Sequence, residues 1–140
     1  VGNAGILVSR VLFRKSNRIK EFVIVDAGMN DLVRPSLYQA YHAIQPVVAS
    51  ESEMIPADIV GPICETGDFL ATDRKISRVK PGDLIAVMSA GAYGFSMSSN
   101  YCSRLKVAEV MVKGSRFEVV RARQEYADLI AGEHIPDFIV

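Results

Sequence analysis

The sequence has few of the residues that build metal or redox sites. It contains no tryptophan, two cysteines (Cys64 and Cys102) and two histidines (His42 and His134). Because no CxxC pair is present, the sequence argues against a zinc site built from histidine and cysteine. The cysteine count permits one disulfide, but the spacing does not support it, and a cytoplasmic location is the simpler expectation.

An excess of one charge and long apolar runs are also missing. The 16 basic side chains are balanced by 16 acidic ones, so no overall field would attract nucleic acid or an acidic membrane. No apolar run approaches the roughly 18–20 residues that span a bilayer, and no secretory signal pattern opens the chain. Because the chain starts at Val1 without methionine, we expect a fragment or one domain of a larger protein.

The remaining composition is that of a globular protein. The chain has 140 residues, of which 49% are hydrophobic and 23% are charged. A chain of this size buries roughly 70% of its unfolded surface, so we expect one domain across residues 1–140 with a true core.

Short apolar segments separated by turn residues indicate strands rather than long helices. The predicted strands cover 5–13, 22–25, 57–63, 84–89, 106–112 and 116–120, and the last two form a hairpin. The segment 80–83 predicts a turn. Helices are predicted over 35–44, with Pro35 in the first turn, and over 124–131, with Gly132 as C′ residue. The fold class is therefore mainly β, a Greek-key β-barrel or sandwich with two short helices.

The segment 61–68 (GPICETGD) places Cys64, Glu65 and Asp68 in one loop after a predicted strand. A thiol beside carboxylates is expected to stay protonated because of like-charge repulsion, which suits a proton donor better than a nucleophile. A buried structural cysteine followed by a polar turn explains the same pattern. The segment alone leaves both interpretations open.

A second segment, 90–101 (AGAYGFSMSSNY), surrounds Tyr93 with small residues. Small residues let a backbone approach a ligand closely, and tyrosine offers a flat face with a polar tip. The segment lacks the lysine and spacing of a P-loop. It therefore fits an anion cradle, a stacking platform or a flexible loop.

A third segment, 30–38 (NDLVRPSLY), places Arg34 and Tyr38 four positions apart, on one face of a helix. A guanidinium beside a phenol can clamp a carboxylate. An arginine paired at the surface beside a packed tyrosine is the alternative. Two basic stretches, 14–20 and 74–80, lack interleaved aromatic residues, so we expect solvated turns rather than nucleic-acid patches.

Three segments in order, VDAGMNDLVRPSLYQAYH, GPICETGD and SAGAYGFSMSSNY, resemble the C-terminal domain of the diaminopimelate decarboxylase family. The resemblance covers nearly the whole chain, and the opening VGNAGILVSRV is similar to the segment that follows this family's glycine-rich phosphate-binding sequence. The departures are small. Thr66 stands where serine is usual, and Cys102 and Leu105 stand where asparagine and proline are frequent.

The resemblance implies a fold-type III decarboxylase, with a β-domain like the C-terminal domain of alanine racemase. In this family an (α/β)8 barrel, absent from this chain, holds pyridoxal 5′-phosphate on a lysine. The active sites are shared across a head-to-tail homodimer. The implied reaction converts meso-2,6-diaminopimelate to L-lysine and carbon dioxide, the last step of lysine biosynthesis.

The resemblance also implies a role for each candidate residue. Arg34 and Tyr38 would bind the distal carboxylate of the amino-acid substrate, and Glu65 its distal amino group. Cys64 would be the catalytic proton donor, and Tyr93 would contact both cofactor and substrate. Cys64 and Glu65 would reach the neighbouring subunit's site, whereas Arg34, Tyr38 and Tyr93 would serve their own.

Two other functions stay open. The chain could be the equivalent domain of an ornithine, arginine or carboxynorspermidine-type decarboxylase, although ornithine- and arginine-type relatives carry aspartate where Glu65 stands. It could also be a non-catalytic regulatory β-barrel, although the presence of all the candidate site residues argues against loss of catalytic function. Because no Schiff-base lysine or phosphate loop can be assigned, we expect the isolated chain to be inactive.

Overall fold

The computed structural model describes residues 1–49 and 51–139. The backbone forms two compact units, Val1–Ser98 and Ser99–Val140. Eight strands and two short α-helices make the chain mainly β, which confirms the predicted fold class. The prediction of one domain over residues 1–140 stays a prediction.

The first unit is a six-stranded sheet with one α-helix. Its strands are β1 (Leu7–Ser16), β2 (Glu21–Val25), β3 (Ile44–Pro46), β4 (Met54–Val60), β5 (Phe69–Ser77) and β6 (Leu84–Val87), and its helix is α1 (Arg34–Tyr38). The strand order is β3-β6-β1-β2-β4-β5. The two outer strands, β3 and β5, approach each other, so the sheet is nearly closed into a barrel.

Strand direction determines which loops meet. Strands β2 and β4 pair in parallel, and β1 pairs antiparallel with both β2 and β6. Strands β2, β4 and β6 therefore run in the same direction, and the loops that follow their carboxyl ends lie at the same edge of the sheet. We call this edge, formed by segments 26–34, 61–68 and 88–94, the carboxyl edge of the barrel.

Inward-facing side chains of the strands fill the barrel. In β1, Ser9 and Val11 are buried while Val8 and Arg10 are exposed, the period of two expected of a strand with one buried face. The largest fully buried apolar side chains are Val11, Val23, Val25, Leu32, Ile59, Leu70, Ile76, Ile85 and Val87. Burial of such side chains contributes about 25 cal/mol per Å² and is the main stabilisation of the barrel.

The predicted helix over 35–44 is wrong in extent. Helix α1 ends at Tyr38, and Gln39 adopts a left-handed conformation with φ of 55°. The apolar positions taken to form one helical face do not share a buried environment: Leu37 is 57% exposed, Tyr41 is 74% exposed and Ile44 is buried in β3. Without a buried face, so short a helix gains little from continuing.

Strand β5 was missed because charged residues interrupt its apolar pattern. Leu70, Ala71 and Ile76 face the core, whereas Asp73 has φ of 47° and interrupts the regular strand. The pairing of β4 with β5 shifts register beside it, which is a bulge. The other strand predictions hold with ends displaced by a few residues.

The turn predicted over 80–83 is confirmed. The Asp83 N–H donates to the Lys80 carbonyl at 3.0 Å, and Gly82 has φ of +94°. Proline before a left-handed glycine is the arrangement that such a turn requires.

The second unit contains the predicted hairpin, β7 (Glu109–Lys113) and β8 (Arg116–Arg121), and a helix, α2 (Tyr126–Leu129). Helix α2 is shorter than predicted. Gly132 has φ of +88° but lies in the turn beyond it rather than at C′. The Gln124 side-chain oxygen accepts hydrogen bonds from Asn100 Nδ2 at 2.6 Å and from the Lys106 N–H at 2.9 Å. No helix in the described part of the chain is long and apolar enough to cross a membrane.

Candidate functional site

The carboxyl edge joins segments that are far apart in the sequence. The Met29 N–H, after β2, donates to Asp68 Oδ1 at 2.7 Å, which links the segments 26–34 and 61–68. The Met88 N–H, after β6, donates to the Ala43 carbonyl at 2.8 Å, close beyond helix α1. The stretches of the three motifs that directly follow β2, β4 and β6 therefore lie at one edge of the barrel.

Helix α1 presents Arg34 to the segment after β6. Pro35 occupies the first helical turn, where its missing N–H costs no hydrogen bond, and the Leu37 N–H donates to the Val33 carbonyl at 2.9 Å. Arg34 is half-buried, and its guanidinium carbon lies 5.8 Å from the centroid of the Tyr93 ring. This is cation–π distance, so the structure brings Arg34 and Tyr93 together.

The two candidate tyrosines are open to solvent. Tyr38 is 61% exposed and Tyr93 is 63% exposed. Tyr93 also has φ of 59°, an uncommon conformation for a residue with a side chain. Both rings can therefore meet a ligand from outside the barrel.

The segment around Tyr93 is anchored to the start of the chain. The Ala90 N–H donates to the Gly5 carbonyl at 2.8 Å, and the Gly91 N–H donates to the Gly2 carbonyl at 3.0 Å. These backbone bonds argue against the interpretation of this stretch as an unconstrained glycine-serine loop.

The Cys64 thiol is exposed and is not in a disulfide. The alternative of a buried structural cysteine is therefore wrong. Glu65 beside it is also exposed, and its Oε1 accepts a hydrogen bond from the Gly67 N–H at 3.2 Å. Among residues 1–49 and 51–139, Cys64 makes no hydrogen bond with Arg34 or Tyr93. The structure thus brings Arg34 and Tyr93 together, and it places Cys64 and Glu65 in the exposed loop 61–68.

Sequence reasoning did not assign roles to two buried polar residues at this edge. Asp68 is 4% exposed and bonds to the backbone of two segments. His42 is 1% exposed, and its Nδ1 lies 2.9 Å from the Met88 carbonyl oxygen. The GPICETGD motif contained Asp68, but no local pattern shows which backbone groups a carboxylate will meet. Within the described ranges, no cluster of potential ligands could hold a metal ion.

Comparison with known proteins identifies the family. The family described as "Pyridoxal-dependent decarboxylase, C-terminal sheet domain" matches residues 2–91, which include strands β1 to β6 and nearly all of the carboxyl edge. The chain belongs to this family. The family predicted from the three motifs is thereby confirmed.

Individual decarboxylases are similar to this chain over almost its whole length. Diaminopimelate decarboxylase of Aquifex aeolicus (strain VF5) is 57% identical over 126 residues, which are 90% of this chain and 30% of that protein. The Helicobacter pylori diaminopimelate decarboxylase complexed with L-lysine matches with a TM-score of 0.86 and 46% identity, covering 94% of this chain and 32% of that one. The M. jannaschii enzyme in co-complex with L-lysine matches with a TM-score of 0.94 and 35% identity, covering 99% of this chain and 32% of that one. The chain spans about a third of the length of these relatives.

The carboxyl edge fits part of a pyridoxal phosphate site. The exposed ring of Tyr93 offers a flat face and a polar hydroxyl, both suited to contact with a planar anionic group. The segments 26–34, 61–68 and 88–94 contain no lysine that could attach the cofactor covalently. This donor set can contact the cofactor but cannot by itself hold it.

Proposed function

We propose that this chain is the substrate-binding and dimerisation domain of a diaminopimelate decarboxylase, which converts meso-2,6-diaminopimelate to L-lysine and carbon dioxide. The observation that carries the proposal is that Arg34 lies against Tyr93 at the carboxyl edge, where the Met29 N–H also binds Asp68 of the loop that carries Cys64. The 57% identity to a diaminopimelate decarboxylase supports it. The complete enzyme would be a homodimer in the cytoplasm.

In this proposal, two oppositely charged side chains, Arg34 and Glu65, recognise the distal end of the substrate. The Arg34 guanidinium can donate two hydrogen bonds to the distal carboxylate, and the Tyr38 hydroxyl, four positions along α1, can donate a third. The Glu65 carboxylate can accept from the distal ammonium. A substrate without the distal carboxylate would leave Arg34 desolvated and unpaired, which costs about 1–3 kcal/mol or more.

Cys64 is the proposed proton donor. Pyridoxal 5′-phosphate, when bound, stores the electron pair that decarboxylation leaves behind. The Cys64 thiol then gives its proton to the carbon that lost the carboxylate and recovers a proton from solvent. The exposure of Cys64 suits a side chain that serves a site completed by another subunit.

In the proposed dimer, the candidate residues divide between two active sites. Arg34, Tyr38 and Tyr93 serve the subunit that carries them, with the Tyr93 ring against cofactor and substrate. Cys64 and Glu65 serve the neighbouring subunit's site.

Substrate profiling of the complete enzyme tests the proposal. We expect meso-2,6-diaminopimelate to be preferred over ornithine and arginine, and Arg34→Ala to raise apparent KM roughly tenfold or more with a smaller change in kcat. Arg78→Ala is the matched control, because Arg78 follows β5 and pairs with Glu53 just before β4, at the end of that strand opposite to the segment 61–68. Preference for ornithine or arginine would favour a related decarboxylase, and no decarboxylation of any of these substrates would favour a regulatory barrel.

A further inference from the structure

Asp68 is a buried carboxylate whose two oxygens bind two different loops. Its Oδ1 accepts from the Met29 N–H at 2.7 Å, in the segment after β2. Its Oδ2 accepts from the Ile63 N–H at 2.6 Å, in the segment after β4. With only 4% of its surface exposed, the side chain lies inside the junction of these loops.

The backbone of Asp68 closes the same loop on itself. Its carbonyl accepts from the Gly61 N–H at 3.0 Å, and its N–H donates to the Glu65 carbonyl at 3.0 Å. The loop that carries Cys64 and Glu65 is therefore fixed at both ends by one residue.

Glycines make room for this arrangement. A Cβ built on Gly61 or on Gly28 would lie under 3.0 Å from the Asp68 carboxylate. A Cβ on Gly67 would lie 2.7 Å from the Ser36 hydroxyl of helix α1. The loop after β4 thus rests directly on the backbone and helix that carry Arg34.

We propose that Asp68 is a positioning residue that sets the place of Cys64 and Glu65 relative to Arg34, through its bonds to the Met29 and Ile63 N–H groups. This inference rests on the function proposed above. Because each carboxylate oxygen has its own N–H donor, the amide of Asp68→Asn can satisfy only one of them. Loss of the bond to the Met29 N–H would release the Cys64-Glu65 loop from the segment that leads into α1, and loss of the bond to the Ile63 N–H would loosen the loop itself.

The test compares Asp68→Asn with wild type in the complete enzyme. We expect kcat for meso-2,6-diaminopimelate to fall roughly 10- to 100-fold, because small displacements of a reacting group are costly. We also expect the preference for this substrate over 2-aminopimelate, which lacks the distal amino group, to fall about tenfold or more, because Glu65 would no longer be aimed. Both changes are expected from displacement of the Cys64-Glu65 loop and not from a change at Arg34.

A stereochemical measurement separates positioning from general destabilisation. A thiol held at one face of the reacting carbon delivers its proton to that face, so wild type in heavy water should give lysine with deuterium in a single configuration. Asp68→Asn should give a mixture. Gly61→Ala, whose Cβ would press on the Asp68 carboxylate, should reproduce the mixture.

Asp58→Asn is the matched control. Asp58 is 7% exposed and accepts a hydrogen bond from the Asp73 N–H at 2.7 Å, but it pairs with Lys20 near the amino end of β2. Its variant should lower the melting temperature and leave substrate preference and deuterium configuration unchanged. An Asp68→Asn enzyme with wild-type kcat, preference and configuration would overturn the positioning role. A wild-type enzyme that does not act on diaminopimelate would instead refute the proposed function.

Discussion

The two cysteines have the same side chain and similar exposure, yet only one follows a barrel strand at the carboxyl edge. Cys64 lies in the segment after β4, whereas Cys102 lies in the second unit with φ of 54°. Exposure alone therefore does not distinguish them. Position within the fold does.

Cys64→Ala in the complete enzyme should lower kcat by roughly 10²- to 10⁴-fold, the usual contribution of a positioned proton donor, with a smaller change in KM. Steady-state kinetics with meso-2,6-diaminopimelate measure both constants. Cys102→Ala should behave as wild type. Equal loss in the two cysteine variants, or a change confined to KM for Cys64→Ala, would contradict the assignment.

At the scale of elements, the turn between β1 and β2 is tied to β4 and β5 by charge. Lys20 Nζ lies 2.9 Å from Asp58 Oδ2 on β4 and 3.5 Å from Asp73 Oδ1 on β5. The hydrogen bond to Asp58 is the main cause that raises the pKa of Lys20 above 10.5, and desolvation opposes it. These contacts join three neighbouring strands of the barrel at one point.

Because the pKa of Lys20 is higher in the folded than in the unfolded chain, its contribution to stability is complete below pH 10.5 and is lost as pH rises through the folded value. We expect Lys20→Met to lower the melting temperature of the complete enzyme at pH 8. Above pH 10.5, the melting temperature of this variant should fall less with increasing pH than that of the wild type. Thermal melts across this range measure the effect. Lys15→Met, on the exposed side of β1, is the control. Identical pH profiles for the Lys20 variant and wild type would exclude the role.

At the scale of the whole molecule, this chain carries the proposed recognition and proton-donor groups, and its carboxyl edge contains no lysine. We expect the isolated 140-residue chain neither to bind pyridoxal phosphate tightly nor to release carbon dioxide. An absorbance titration with the cofactor and a carbon dioxide assay test this, with the complete enzyme as positive control. Stoichiometric cofactor binding by the isolated chain would show that the groups needed to hold it are already present.

Local sequence determined many of the elements and the functional groups that the loops carry. The turn at Gly82 and the hairpin around Gly114 follow from nearest neighbours, because proline and glycine restrict or release the backbone where they stand. The three motifs named the candidate residues, and the resemblance to known decarboxylases implied the roles proposed for them. The charged strand β5 and the early end of α1 were not predicted, since burial by distant segments decided both.

Only the tertiary structure decided which residues meet. Arg34 approaches Tyr93, and Asp68 reaches the Met29 N–H, because β2, β4 and β6 point the same way in the sheet order that the chain adopts. Strand order and direction depend on pairing between remote segments, which no local pattern encodes. The sequence thus specified a thiol, a carboxylate and a guanidinium, and the barrel placed them at one edge.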